Sequence, residues 1–432
     1  VSVSREGNQG ESSTLISTSF FVHFYPFADG GVLFHEGMRR IWVLNASSAF
    51  MWCMLDIVSD MDGLARSVAE KFCIDEATAL RDAQETVGVF EREGLLGNDD
   101  PQNFPDDGSE WDITPHGPPL AEPEAWVVRQ QFETPKHVFS FCCADSSLGE
   151  AFMRNMAHLV PDRKAAVDTR LAVLPGREAA ATWDIYLDGR RYVGGVLPNE
   201  VLPYLSTLVF VRACEALNER LLFHAAVLGR GGEAVVFPAE AGSGKSTLAA
   251  SLAARGYRYL SDELAVLDLD SLKITPLPLP MSLKPGSLEA LQRHYPSLAL
   301  YSVHHRADGK LVRYLLPPKD SLFTEKDGKT RIRALVFPLY RKGEGNRLAV
   351  LEKAEALRRL ALTGSSNREF TPADVKAMIK VVERNPCYEL VFNDLEEAVL
   401  LLEKHVLPGC EGEKRSAVLE RGKTDGDIVG TR

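Results

Sequence analysis

The sequence predicts an α/β chain, α+β when taken whole. A small three-strand, three-helix, winged-helix-like module comes first, then a β-rich segment, then a phosphate-loop α/β core. Three observations carry this. Residues 224–270 read as strand, glycine loop, helix and strand in succession. Three short apolar segments followed by three amphipathic ones fill the chain before residue 97. Between these regions, residues 98–124 hold 6 of the 24 prolines and 8 acidic side chains without one base. With 432 residues, 45% hydrophobic and 25% charged, the chain has material for two or three globular units and is not globally disordered.

Taken in order, residues 1–17 are polar and read as a flexible tail. The aromatic run 20–27, GGVLFHEG and RRIWVLN read as short antiparallel strands. Asn45 is a good helix N-cap, and the run after it sets Phe50, Met54 and Ile57 on one stripe. Helices are expected over 62–72 and 75–93, the latter ending at Gly94, each with an acid where the helix dipole favours negative charge. Proline blocks regular hydrogen bonding and like charges repel, so 98–124 is expected as an extended linker between domains 18–97 and 125–408. Within the second domain, 125–200 is β-rich, with a DG turn signal in DIYLDGRRYVGGVL, and 201–408 is the core, opening on a helical pattern over 202–222. Residues 409–432, with five acids and five bases, are expected to fray.

The net charge of −11 divides as −7 over residues 1–97, −8 over 98–124 and +4 over 125–432. An acidic chain argues against nucleic acid or an anionic membrane as partner, while the +4 part suits a polyanionic nucleotide. Seven cysteines without paired CxxC spacing suggest neither a disulfide framework nor a zinc site. No signal pattern and no run of 18 apolar residues occurs, so the expected location is cytoplasmic.

The chemistry concentrates in GGEAVVFPAEAGSGKSTLAASLAARGYRYLSDELAVLDLD. An apolar strand over 233–237, a loop over 239–245 and a helix over 246–255 give a Walker A loop its required context. Gly242 and Gly244 let the backbone curl so that the N–H groups of Ala241, Gly242, Ser243, Gly244, Lys245, Ser246 and Thr247 face phosphate oxygens. Lys245 supplies a charge toward the β/γ phosphates of ATP or another NTP, and Ser246 a hydroxyl to Mg²⁺. The consensus begins with glycine, whereas this chain has Ala239. The next strand ends in Ser261, Asp262 and Glu263, two carboxylates placed to hold Mg²⁺ or to take a proton from an acceptor hydroxyl; a helix or turn cap is the competing reading. Arg306, Lys310, Arg313, Arg331 and Arg333 belong to a run, 301–347, with 11 bases and 5 acids, most of which read as a solvated face. Lys284 is the single best candidate for a further phosphate contact.

LLFHAAVL, GSGKSTLA, YLSDELAVL, LPLPMSLKPGS and IRALVFPLYR, over about residues 210–345, resemble the catalytic domain of HPr kinase/phosphorylase and its relatives in peptide-modification pathways. The resemblance implies that Lys245 and Ser246 bind phosphate and metal. It makes Asp262 the base for a serine or threonine hydroxyl, with His224 near Asp262 and the phosphates, and Glu263 assisting the metal. A histidine capping a core strand is the other reading of His224. The longer glycine-rich signature of the bifunctional HPr enzymes is missing, so the resemblance does not extend to phosphorylase activity or to HPr as substrate. Such relatives often assemble as oligomers, so a homo-oligomer is compatible with it.

The N-terminal segments VLFHEGMRRIWVLNASSAFMW and FEREGLL resemble a PqqD-like peptide-recognition domain. Such domains take the leader of a ribosomally made precursor peptide as an added strand, packed against the last helix. Val32, Phe34, Ile41 and Val43 read as core or pairing residues rather than as selective contacts. The expected activity is an ATP-dependent serine/threonine peptide kinase recruited by leader binding through residues 18–97. A kinase of another acceptor, such as a carrier protein or free serine, and a nucleotide-regulated peptide chaperone without transfer activity are the alternatives.

Overall fold

The computed structural model describes residues 18–19, 21–97, 113–177, 179–324, 327–364 and 370–407. The expected tails and the linker up to residue 112 lie outside the described residues. Strands β1 (Val22–Phe27), β2 (Gly30–His35) and β3 (Arg40–Leu44) form an antiparallel sheet in that order. Helix α1 (Ala46–Met54) starts at Asn45, whose side chain accepts the Ser48 N–H at 2.9 Å. Asp60 and Asp75 cap α2 (Met61–Phe72) and α3 (Glu76–Arg92) in the same way. The three strands and three helices are as expected, but the stripe on α1 is not. Because α1 ends at Met54, Ile57 leaves the helical phase and is 71% exposed, while Ala49, Met51, Trp52 and Leu55 are buried.

Alternation decides what this sheet touches. Leu33, Trp42 and Leu44 pack among the three helices, whereas Phe27, Val32, Phe34 and Ile41 enter a core that also contains residues of the C-terminal part. Burying each of those four side chains contributes about 1.5–3 kcal/mol. The module is therefore docked on the rest of the chain, something the linker composition does not announce.

Strands β4 (Val128–Thr134), β5 (His137–Cys143), β6 (Thr169–Pro175), β7 (Trp183–Leu187) and β8 (Arg190–Val196) form a five-stranded sheet in sequence order, antiparallel except between β5 and β6. That parallel step requires a crossover, and α4 (Ser146–Met156) supplies it. The β7–β8 turn has Asp188 and Gly189 at φ of +49° and +80°, the left-handed pair that the DG signal calls for. Residues 117–120 run along β8, with Gly117 N–H on the Arg191 carbonyl at 2.9 Å and Leu120 N–H on that of Gly189 at 2.7 Å. Helix α5 (Pro198–Ala216) ends earlier than expected, because Leu221 and Leu222 already belong to the next strand.

The C-terminal part comprises β9 (Leu221–Arg230), β10 (Glu233–Pro238), α6 (Lys245–Ala254), β11 (Arg258–Ser261), β12 (Leu264–Leu267) and β13 (Lys273–Thr275). It continues through β14 (Met281–Leu283), α7 (Ser287–Leu291), β15 (His304–His305), β16 (Leu311–Leu315), β17 (Thr330–Tyr340) and β18 (Arg347–Val350). It closes with α8 (Lys353–Leu362), α9 (Pro372–Arg384), β19 (Cys387–Phe392) and α10 (Leu395–His405). Strand β10 lies between antiparallel β9 and parallel β17, and β19 runs parallel to β17. Strands β11 and β12 pair with β9, while β14, β16 and β15 form a small separate sheet. Phe223, Ala225, Val227, Ala234 and Val236 face the side of α8, α9 and the N-terminal sheet; Ala226, Leu228, Val235 and Phe237 face α6 and α10. Burial on both faces explains the continuous apolar runs of β9 and β10. Among the described residues no helix is long and apolar enough to cross a membrane.

Candidate functional site

The glycine loop leaves the carboxyl end of β10 and turns into α6. Gly242 and Gly244 have φ of +94° and +85°, a region open to glycine at little cost. At Gly244 a side chain is also sterically excluded, since its Cβ would stand 2.6 Å from the Phe392 ring. The loop is pinned where the Tyr340 N–H donates to the Ser243 carbonyl at 3.1 Å, and Tyr340 packs edge-on against Phe392. Ala239 does not need glycine's freedom. It has no positive φ, is buried, and its N–H donates to the His224 carbonyl of β9 at 3.2 Å. Thr247 is tied to α7 by a 2.7 Å hydroxyl contact with Ser287.

Two charged groups are buried beside this loop. Lys245 is 6% exposed and Asp262, in the turn after β11, is 1% exposed. Neither the Lys245 Nζ nor either Asp262 oxygen has a hydrogen bond of good geometry, and the Ser243 hydroxyl is likewise buried without one. Buried polar atoms are paired in the great majority of cases, so this cluster of unmet donors and acceptors marks a place for a ligand. Burial pulls the Lys245 amine below its usual pKa, against the opposing pull of Asp262 and Glu263. Burial and the neighbouring Glu263 push the Asp262 carboxyl up to about 6, with Lys245, the Ser246 hydroxyl and His224 acting the other way. Glu263 goes in the opposite direction. Although burial alone raises it, the contact with His224, and then Lys245, hold it below the usual carboxylate range. The His224 Nε2 lies 3.4 Å from the Glu263 carboxylate, both partly exposed. Two adjacent carboxyls driven apart in this way suit separate tasks, one moving a proton and one staying charged.

A cavity of about 720 Å³ lies over the loop, lined by Ala241, Gly242, Gly244, Lys245, Ser246 and Thr247, and on its far side by His224 and Glu263. Lys284, Arg306 and Lys310 also face it, so three of the expected bases gather there. The others do not. Arg331 and Arg333 pair with Glu233 at the opposite end of β10 from the loop, and Arg313 donates to the Tyr301 carbonyl. Sequence reasoning missed Glu240, Ser282 and Asn393, which also line the cavity; Glu240 sits inside the loop and Ser282 inside LPLPMSLKPGS, whereas no motif marks Asn393. Among the described residues no trio of His, Cys, Asp or Glu is placed to hold a metal ion by itself. Ser246, Asp262 and Glu263 fit Mg²⁺, which takes few protein ligands and completes its shell with phosphate oxygens and water.

Among the described strands β3 pairs with β2 alone, α8 and α1 pack beside it, and its Trp42 and Arg40 reach the end of α3. Strand β3 and helix α3 are clasped by Glu93, which accepts the Trp42 indole N–H at 3.1 Å and lies 3.5 Å from Arg40. Val32, Phe34 and Ile41 are core residues, and Val43 packs partly buried against the same core.

The family model for Coenzyme PQQ synthesis protein D (PqqD) matches residues 30–96, so this module is PqqD-like. No curated protein matches the chain. A solved structure described as TbiB1 in complex with the TbiA(beta) leader peptide is 21% identical, with the match covering 20% of this chain and 100% of that chain at a TM-score of 0.18.

Proposed function

We propose that the chain is an ATP-dependent kinase of a ribosomally made precursor peptide, recruited by leader binding at residues 18–97. The observation that carries it is the buried, unpartnered pair of Lys245 and Asp262 beside a loop whose glycines hold left-handed φ values. The PqqD-like match at residues 30–96 supports a peptide as the partner, since such a module can take a peptide as an added strand.

In this reading the loop N–H groups and the N-terminus of α6 hold the β and γ phosphates, and Lys245 meets their charge. Ser246 and the carboxylates at 262 and 263 would hold Mg²⁺, which would supply further neutralisation of phosphate charge. The acceptor oxygen forms a bond to the γ-phosphorus while the bond from that phosphorus to the β–γ bridging oxygen breaks. The electron pair leaves with ADP, and the hydroxyl proton passes to Asp262. Burial keeps the Asp262 carboxyl above the usual carboxylate range, which makes it a better proton acceptor than an exposed aspartate. His224 fixes the Glu263 carboxylate, which keeps its charge.

The test is transfer from [γ-³²P]ATP to the cognate peptide with and without its leader. Label that depends on the leader supports the reading; no label with either peptide sinks it. Tight nucleotide and leader binding without phosphopeptide would assign a nucleotide-regulated chaperone instead, and rapid turnover of a small acceptor without a leader would assign another acceptor class.

A further inference from the structure

A second cavity, of about 460 Å³, opens off the first. The two share His224, Glu240, Glu263, Ser282 and Arg306, but none of residues 241–247 reaches the second. Its walls come from three distant stretches: Ser206, Thr207 and Phe210 on α5, Leu279 and Tyr314 around the small sheet, and Leu362 at the end of α8. The surface is mostly apolar, with a few hydroxyls, and the charged groups collect at the mouth it shares with the phosphate cavity.

That distribution fits a second ligand rather than more of the nucleotide. Triphosphate oxygens gain nothing from Phe210, Leu279 and Leu362, whereas an apolar side chain does. The shared mouth at His224 and Glu263 is where a hydroxyl has to stand to reach phosphorus held over the loop. A hydroxymethyl group alone leaves most of about 460 Å³ unfilled.

We infer that this cavity takes the acceptor residue of the peptide together with a bulky apolar neighbour. The acceptor class is thus a serine or threonine hydroxyl flanked by an aromatic or large aliphatic side chain. The assignment rests on the kinase reading above for its chemistry, in which the acceptor oxygen bonds the γ-phosphorus, ADP departs with the electron pair and Asp262 receives the proton. Thr207 contributes specificity. It is an exposed helix position that lines this cavity and not the phosphate one.

The experiment uses the full chain with Mg·ADP and two probes, Ac-Phe-Ser-NH₂ and Ac-Gly-Ser-NH₂, with binding read by saturation-transfer NMR and transfer read separately with [γ-³²P]ATP. The phenylalanine probe is expected to bind at least about tenfold better. Thr207→Trp, which fills the cavity, should remove that preference and leave ATP affinity unchanged. Leu362→Gln, at a 42% exposed wall position, should weaken it without risk to the fold. Equal binding of both probes, or an undiminished preference in both variants, overturns the assignment even where label is transferred. A preference that Thr207→Trp abolishes, with no label transferred by the wild-type chain, keeps the cavity and removes the kinase reading. Neither binding nor transfer overturns both.

Discussion

The PqqD-like module and the loop region put their chemistry in different kinds of atom. In the module the candidate surface is a strand edge, made of backbone groups that almost any sequence can supply. Around the loop it is a handful of side chains, Lys245, Asp262, Glu263 and His224, whose burial and pairing are unlike those of the surrounding core. The two also differ in cost to the fold. Backbone groups that take an added strand cost the fold little, while a buried amine and carboxylate without hydrogen-bond partners oppose folding until something binds them. The module therefore tolerates substitution in its candidate surface, and the loop region does not.

The sharpest way to break that contrast is Lys245→Ala. Transfer should fall by about 10³-fold or more, because no other residue puts a charge on the phosphates from within the loop. Thermal stability without nucleotide should hold or rise, since for this amine the cost of burial outweighs the pull of Asp262 and Glu263. A loss of both activity and stability would mean that the lysine is structural.

Asp262→Asn comes next, with turnover lower by about 10²-fold or more and nucleotide affinity within a few-fold, measured by steady-state kinetics and calorimetry. The folded Asp262 carboxyl holds its proton to higher pH than the unfolded chain does. Its contribution thus favours folding below a pH of about 4 and is lost as the pH climbs through about 6. The variant should therefore be more stable than the parent at pH 7 and close to it at pH 4. Melting curves at the two pH values check this.

The same division explains what could be read from the sequence. The loop, its lysine and the carboxylates are local in the chain, so spacing alone locates them. Ala239 looks like a defect until its hydrogen bond to β9 and its ordinary φ show why glycine is not required there. Helix α4 was hidden because only Gly149, Phe152 and Met156 are buried along it, too few to set a period. The second cavity could not be read at all, since its walls come from several stretches spread over more than a hundred residues of chain. Docking of the module left one trace: β2 is apolar at consecutive positions, Val32, Leu33 and Phe34, which is the pattern of a strand covered on both faces.

Ile41→Ala tests that docking. Its side chain is 1% exposed within the core shared with α8 and α9, so truncation should cost about 2–4 kcal/mol. The loss should appear in a single melting transition covering both regions. A separate early transition of the module alone would show the two to be independent bodies, and deletion of residues 1–97 would then spare ATP hydrolysis.

Glu93→Ala carries the smallest effect and bears most directly on the module. Glu93 joins β3 to the end of α3 through Trp42 and Arg40, with its side chain 34% exposed and that of Arg40 30% exposed. Exposed ion pairs of this kind contribute under about 1 kcal/mol, and the indole N–H can turn to water, so stability should hardly change. Leader affinity should respond more. A leader packed against α3, as the PqqD-like reading implies, needs that helix held in place, and without the clasp binding must order it. Titration of the cognate leader should then show a Kd raised about three- to tenfold with transfer to a leaderless peptide unchanged. Unchanged leader affinity would place the leader elsewhere, away from α3.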